Sequence, residues 1–204
     1  MDLILLRYSQ FFEADLIVLR RGRRSVLGYP MKVLLEAIEK RHGRAAVVQI
    51  LAEAGLPADH AFRLNVPYSD SVTGRVSAAA VQFLSVEEVA EAFFNDTLVR
   101  FPTWFAMCKT SREFLEMQPE IHNTFAHGLQ HPQDREAVRD KFRLEKLEDE
   151  LVVHYRSLSR MCEIYKAIAE HVFRHYHDEA TIDETMCMNR GDAECELRIR
   201  WRKE

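Results

Sequence analysis

The residues of this 204-residue chain best suited to chemistry are four cysteines, at 108, 162, 187 and 195, and a histidine at 122. A thiolate is a soft metal ligand and an oxidisable group, and a neutral imidazole binds transition metals, haem iron among them. Cys187 and Cys195 flank Asn189-Arg190-Gly191-Asp192, a turn signal, so a hairpin brings them together. Cys162 lies in a helical pattern expected to pack on the sheet that this hairpin closes. Three thiolates then converge, and three soft ligands plus one more suit tetrahedral zinc. The plainer reading is three buried thiols acting as small apolar side chains. Cys108 stands outside this scheme. His122 shares a helix face with Leu115, Gln118, Phe125 and Leu129, mainly apolar company. That placement suits a core histidine bonded to a carbonyl, or an axial ligand to haem iron in an apolar cavity. No nucleophile–base spacing, Gly-rich phosphate loop or paired-carboxylate motif is present, so the chain is not expected to be an enzyme.

The elements that must position these groups show as periodicity. From Met31, the residues Val33, Leu34, Ala37 and Ile38 recur at helical spacing up to Gly43. A second helix runs from Ala45 to Ala54 and stops at Gly55, with Pro57 beyond. Phe62, Leu64 and Val66 alternate in an extended link. Ser69 or Asp70 opens a helix through Val81 and Leu84, and Ser85-Val86-Glu87-Glu88 is a capping box that opens the next. Thr110-Ser111-Arg112-Glu113 is a second capping box, expected to start one helix running to about Leu129 and kinked by Pro119. Lys141–Leu147 and Leu151–Tyr155 read as strands, Ser157 or Ser159 as the cap of a long helix to Tyr176, and Thr181–Met188 and Cys195–Trp201 as two more strands. In the last, Cys195, Leu197, Ile199 and Trp201 face one way and Glu196, Arg198 and Arg200 the other, the pattern of a half-buried antiparallel strand. The expected fold class is α+β: a helical N-terminal half packed on a small antiparallel four-stranded sheet crossed by a long helix. Residues 1–30, with two apolar patches and the cluster Arg20, Arg21, Arg23, Arg24, read as an N-terminal extension, and residues 31–204 as one domain.

Composition narrows the function classes. Lys and Arg total 28 against 32 Asp and Glu, a formal charge of −4, which argues against a dedicated nucleic-acid binder. No uncharged apolar run approaches the ~18 residues of a spanning helix, so no membrane span is expected. Four cysteines in a chain without a secretory signal read as thiols or metal ligands, and point to a reducing cytoplasm.

Taken in order, Ala54-Gly55-Leu56-Pro57, Tyr68-x-Asp70, Phe114-Leu115 followed by Ile121-His122, Tyr155-x-Ser157 and the closing Cys187-Met188-x-x-Gly191-Asp192-x-x-Cys195 resemble the haem–nitric oxide/oxygen binding family, the H-NOX (HNOB) domains. The resemblance spans Met31 to Trp201. It implies haem b with His122 as proximal ligand. It also implies that a Tyr-x-Ser-x-Arg motif holds the haem propionates, carboxylates that need charge-assisted donors when buried. Tyr155 and Ser157 match that motif. Ser159 stands in the Arg position with Arg160 beside it, about 100° away round a helix. The ungapped correspondence puts Ile164 in the distal pocket, where some members carry a hydrogen-bonding Tyr. An apolar residue there leaves iron-bound dioxygen unsupported and implies nitric oxide as the gas. A one-residue insertion would place Tyr165 there and imply oxygen.

Some members hold structural zinc with a helix Cys, a His three residues before the Cys-Met, and the two hairpin Cys. Cys162, Cys187 and Cys195 match, Glu184 replaces the His, and His175 and His177 are the substitutes. The family implies signal transduction to a separate histidine kinase or diguanylate cyclase, since the chain shows no such output domain. The rival expectation is a haem-free member: a zinc- or thiol-based redox module, or a small-ligand binding domain. The closing hairpin also looks like that of vinyl-reductase-type ligand-binding domains, and Ser159 favours this alternative.

Overall fold

Pro30 stands inside the first helix rather than ahead of it. A computed structural model describes residues 25–127, 132, 135, 141–156 and 161–202; most of the expected N-terminal extension lies outside the described residues. Ser25–Leu27 (β1) pairs antiparallel with Pro67–Ser69 (β2), Val26 opposite Tyr68. Helix α1 follows at once, Gly28–His42, so residues 25–30, read above as part of the extension, form a paired strand and a helix start. Pro30 is tolerated there because the first-turn N–H groups have no partner within the helix. Gly43, at φ +80°, ends α1 and leads into α2, Arg44–Glu53. Asp70–Ala80 (α3) completes a small helical core around Ile38, Ile50, Leu51 and Val76. At Gly28 the chain passes so close to the following loop that a Cβ would lie 2.3 Å from the Arg63 carbonyl oxygen and 2.6 Å from the Tyr68 ring. The Gly28 N–H donates to the Val66 carbonyl at 2.9 Å.

These residues, up to Ser85, form one of two compact units; the second begins at Val86. In it, Val86–Arg100 (α4) and Pro102–Ala106 (α5) precede Ser111–Glu116 (α6) and Gln118–His127 (α7). Then come Phe142–Lys146 (β3), Glu150–Tyr155 (β4), Cys162–Tyr176 (α8), Ala180–Met186 (β5), a 3-10 turn at Met188–Arg190 and Cys195–Trp201 (β6). The four strands make the expected four-stranded antiparallel sheet, in the order β3-β4-β6-β5. Cys195, Leu197 and Ile199 are buried on its inner face, with Leu151 and Val153 of β4. Tyr165, Ala169, Val172 and Phe173 of α8 share that core, so the long helix covers the sheet as expected. Burying these side chains contributes roughly 1.5–3 kcal/mol for each large one. Among the described residues no helix is long and apolar enough to cross a membrane.

Two local expectations are corrected. The helix expected from Ser111 to about Leu129 is two helices that break at Met117. Pro119 has no N–H to donate to the Leu115 carbonyl, so the chain restarts with Pro119 in the first turn of α7 instead of bending. The long helix α8 begins at Cys162, later than expected, with Met161 at its N-cap and no side-chain cap bond; Ser157 and Ser159 lie outside the described residues. The second capping box forms in one half, with the return bond one residue early: the Thr110 hydroxyl accepts from the Glu113 N–H at 3.2 Å. The Glu113 carboxylate accepts from the Lys109 N–H at 2.6 Å.

The start of α6 is tied to two distant parts of the sheet layer. Both the backbone N–H and the hydroxyl of fully buried Ser111 donate to Asp178, at 2.7 and 2.5 Å, and the Trp201 indole N–H donates to the Ser111 hydroxyl at 2.9 Å. Arg112 lies over the Trp201 ring and donates to the carbonyls of Leu147 and Glu148.

Candidate functional site

His122 projects from α7 with its ring half-buried, centred 4.6 Å from the Phe142 ring of β3. Burial, with the nearby Lys141 charge adding to it, holds its pKa down to about 4. The imidazole is therefore neutral at physiological pH, the state that binds a metal. Among the described residues neither ring nitrogen has a hydrogen-bond partner, so a carbonyl-bonded core histidine is not what these residues build. Of the helix-face neighbours expected for it, Gln118 shares α7 and Leu115 belongs to α6. The Phe125 side chain and Leu129 lie outside the described residues.

Phe142 connects His122 to two tyrosines. Its ring lies 5.1 Å from Tyr155 and 5.0 Å from Tyr165, and the two tyrosine rings are 6.2 Å apart and nearly parallel. Tyr155 ends β4 opposite Phe142 on one side and Cys195 on the other, which fixes it in the core. Ser157, Ser159 and Arg160, the rest of the expected propionate motif, lie outside the described residues. On α8, Ile164 is half-buried. Its neighbour Tyr165 is buried, and its hydroxyl has no hydrogen-bond partner among the described residues. Desolvation pushes the Tyr165 pKa upward, so the group stays protonated and available as a donor. Tyr165, the position a one-residue insertion would make distal, belongs to the aromatic group that includes Phe142, the ring beside His122. The sequence signal for this is helical phase: Cys162, Tyr165, Ala169 and Val172 recur on one face of α8 and are all buried. A partnerless neutral imidazole and an orphaned buried hydroxyl are polar groups that a haem and its ligand would satisfy. In donor type, His122 and Tyr165 suit that group.

The three cysteines of the sheet region do converge. Ligand atoms of Cys162, Glu184, Cys187 and Cys195 all lie within 4.8 Å of one another, and the Cys162 and Cys187 sulfurs are 3.6 Å apart. Glu184 stands opposite Leu197 in the β5–β6 ladder and so shares its inner face, just before a bulge that precedes Met186. Cys195 accepts from the Met188 N–H at 3.2 Å, and Cys162 from the Asn189 side-chain amide at 3.2 Å. Donors of this kind orient and stabilise metal-bound thiolates. Burial pushes the Cys162 and Cys195 thiols up, with neighbouring thiols adding to it at Cys162, so protons must leave for a metal to enter. Arg190 donates to the Glu184 carboxylate at 2.8 Å and competes for it. Three thiols and a carboxylate fit zinc in ligand type and number. His175 and His177 do not join them. They sit at the far end of α8, His175 beside Phe105 and Tyr176, and His177 as the left-handed C-cap at φ 59°.

Comparison with known proteins bears on both sites. Residues 27–184 match the family described as Haem-NO-binding. An H-NOX protein from S. oneidensis in the Fe(II)NO ligation state is similar in structure, with a TM-score of 0.74 and 17 % identity over 87 % of this chain and 100 % of that one. A triple variant from the same organism in the Fe(II) state gives 0.72 and 16 % identity, over 88 % of this chain and 97 % of that one. An oxygen-binding H-NOX domain related to soluble guanylate cyclases, in its oxygen complex, gives 0.68 and 17 % identity, over 87 % and 96 %. Curated protein sequences contain no match. At these identities the structural likeness establishes the fold.

Proposed function

Because the chain belongs to the Haem-NO-binding family, we propose that it is a haem-based gas sensor that holds haem b through His122 and takes nitric oxide as its ligand. The observation that carries this reading is the His122 imidazole, neutral and without a hydrogen-bond partner among the described residues, on a short helix of its own. Haem iron held by one imidazole supplies a coordination position for a diatomic gas. Tyr155, Ser157 and Arg160 are the residues proposed to hold the propionates. Ile164 offers a gas no hydrogen bond, which supports nitric oxide; the buried Tyr165 hydroxyl is the group that would support oxygen instead. Substituting Tyr165→Phe separates the two: a tyrosine that stabilises bound oxygen speeds its dissociation when removed.

The His122 ring meets Phe142 of β3, and α7 packs on that strand, so a displacement of His122 is passed to an edge of the sheet. We read that edge movement as the output, delivered to a separate histidine kinase or diguanylate cyclase. Four cysteines with no disulfide among them suit a reducing cytoplasm. The test is a visible spectrum. Protein reconstituted with haem shows a Soret band that moves on adding nitric oxide, and His122→Ala abolishes or sharply weakens it. An unchanged spectrum in His122→Ala sinks the ligand assignment.

The convergence of Cys162, Glu184, Cys187 and Cys195 supports a second reading, a zinc or thiol redox module on the same fold. A colourless protein that refuses haem and carries one equivalent of zinc selects it.

A further inference from the structure

A second sulfur cluster lies in the same unit, and neither reading above uses it. Cys108 follows α5, and Met117 is the residue at the break between α6 and α7. The turn of α6 carries the chain back so that the Cys108 sulfur lies 3.2 Å from the Met117 sulfur. Both residues, with Met107, line one open groove of about 490 Å³. Met107 is 65 % exposed, so the groove is reached directly from solvent, while Cys108 lies at its buried end. The rest of the lining is charged: Glu113, Glu116 and Glu120 against Lys109 and Lys146, three negative groups to two positive.

A thioether is a soft ligand. It discriminates against zinc, magnesium and calcium and in favour of Cu(I), which prefers thiolate and thioether sulfur. The Cys108 S–H donates to the Met117 sulfur at 3.2 Å; a metal with two bonds of about 2.3 Å takes the place of that proton and sees the two sulfurs about 90° apart, as two corners of a site rather than a linear pair. Arg112 and Lys146 both pair with Glu116, at 3.0 and 2.8 Å, so the groove carboxylates outside that pairing are Glu113 and Glu120, opposite Lys109. The Cys162 group differs in kind, since its fourth ligand is a carboxylate. We propose that Cys108 and Met117 form a binding site for a soft monovalent cation, Cu(I) in chemical class. On binding, the Cys108 S–H bond gives way to an S–Cu bond, the proton leaves to water, and the metal keeps its oxidation state. Because Cys108 is held as a thiol by burial and by Glu113, binding tightens as pH rises. The site depends on neither haem nor zinc. It sits at the joint between α6, which is tied to Asp178 and Trp201, and α7, which carries His122, so an ion there clamps that joint.

The experiment is an anaerobic titration of the full chain, as purified, with Cu(I) against a chromogenic Cu(I) chelator. Wild type is expected to withhold one equivalent that Cys108→Ser releases, and Met117→Leu to weaken that equivalent tenfold or more. All three proteins share the Cys162 group, so the difference isolates this site. A second measurement uses Ag(I) as a redox-silent probe on wild type carrying 13C-methyl methionine. The Met117 methyl signal, identified by its loss in Met117→Leu, should move on stoichiometric addition. Equal Cu(I) uptake and affinity in wild type and Cys108→Ser overturns the site. So does unweakened binding in Met117→Leu, or a Met117 signal indifferent to Ag(I).

Discussion

His122 makes the haem-free fold sensitive to acid. Its pKa is held down to about 4 by burial, against about 6.5 in an unfolded chain. Between those values the unfolded chain binds a proton that the folded one refuses, so stability is full above about pH 6.5 and is lost as pH falls through 4. Urea unfolding at pH 7 and 4.5 should differ by about 2–3 kcal/mol from this group alone, and His122→Phe should flatten the difference. Equal slopes in both proteins would show that His122 titrates as if exposed. Much of this residue-level chemistry was legible beforehand, for identifiable reasons. A hairpin signal and a helix pattern suffice to bring Cys162, Cys187 and Cys195 together, whereas Glu184 as the fourth group is marked only by the family resemblance, in which a His holds that place. That Tyr165 rather than Ile164 is the buried one of the two is legible as helical phase, since it recurs with Cys162, Ala169 and Val172; which of them meets a gas is not written in that phase.

At the scale of elements, the start of α6 is anchored to the sheet layer by buried hydrogen bonds. Ser111 is fully buried with both its N–H and hydroxyl spent on Asp178, a residue just past the end of α8. Asp178→Ala leaves two buried donors without an acceptor, and the expected loss is about 2–3 kcal/mol in chemical unfolding. Asp178→Asn should recover part of it, because an amide oxygen still accepts. The Trp201 indole shares the Ser111 hydroxyl, so its fluorescence reports the same change. The break at Met117 was half-read: Pro119 announced an interruption, but periodicity alone does not say whether a helix bends or restarts. Strands were easier, because alternation in Cys195–Trp201 states both the element and its buried face. The pairing of β1 with β2 escaped notice because strands of three residues are too short to show alternation.

For the molecule as a whole, the Cys162 group joins α8, the end of β5 and the start of β6 at one point. If zinc occupies it, chelation removes a cross-link between segments that are far apart in sequence. The expected cost is at least about 2 kcal/mol, which in a chain of this size lowers the midpoint of thermal unfolding by roughly 4–8 °C. Calorimetry with and without chelator measures it, and Cys195→Ala should start at the lowered value and ignore the chelator. An unmoved midpoint in wild type would mean that the thiols are only packing.

The close pass at Gly28 carries its own consequence. With a carbonyl oxygen where any first side-chain carbon would go, even alanine must prise the Arg63 backbone away from the head of α1. A saturation library at that codon, sorted for folded protein, should return glycine and little else. Gly43 and Gly55 face open space and are constrained only by their backbone angles, so asparagine should survive there. One codon would thus tolerate a single letter while two others tolerate at least two.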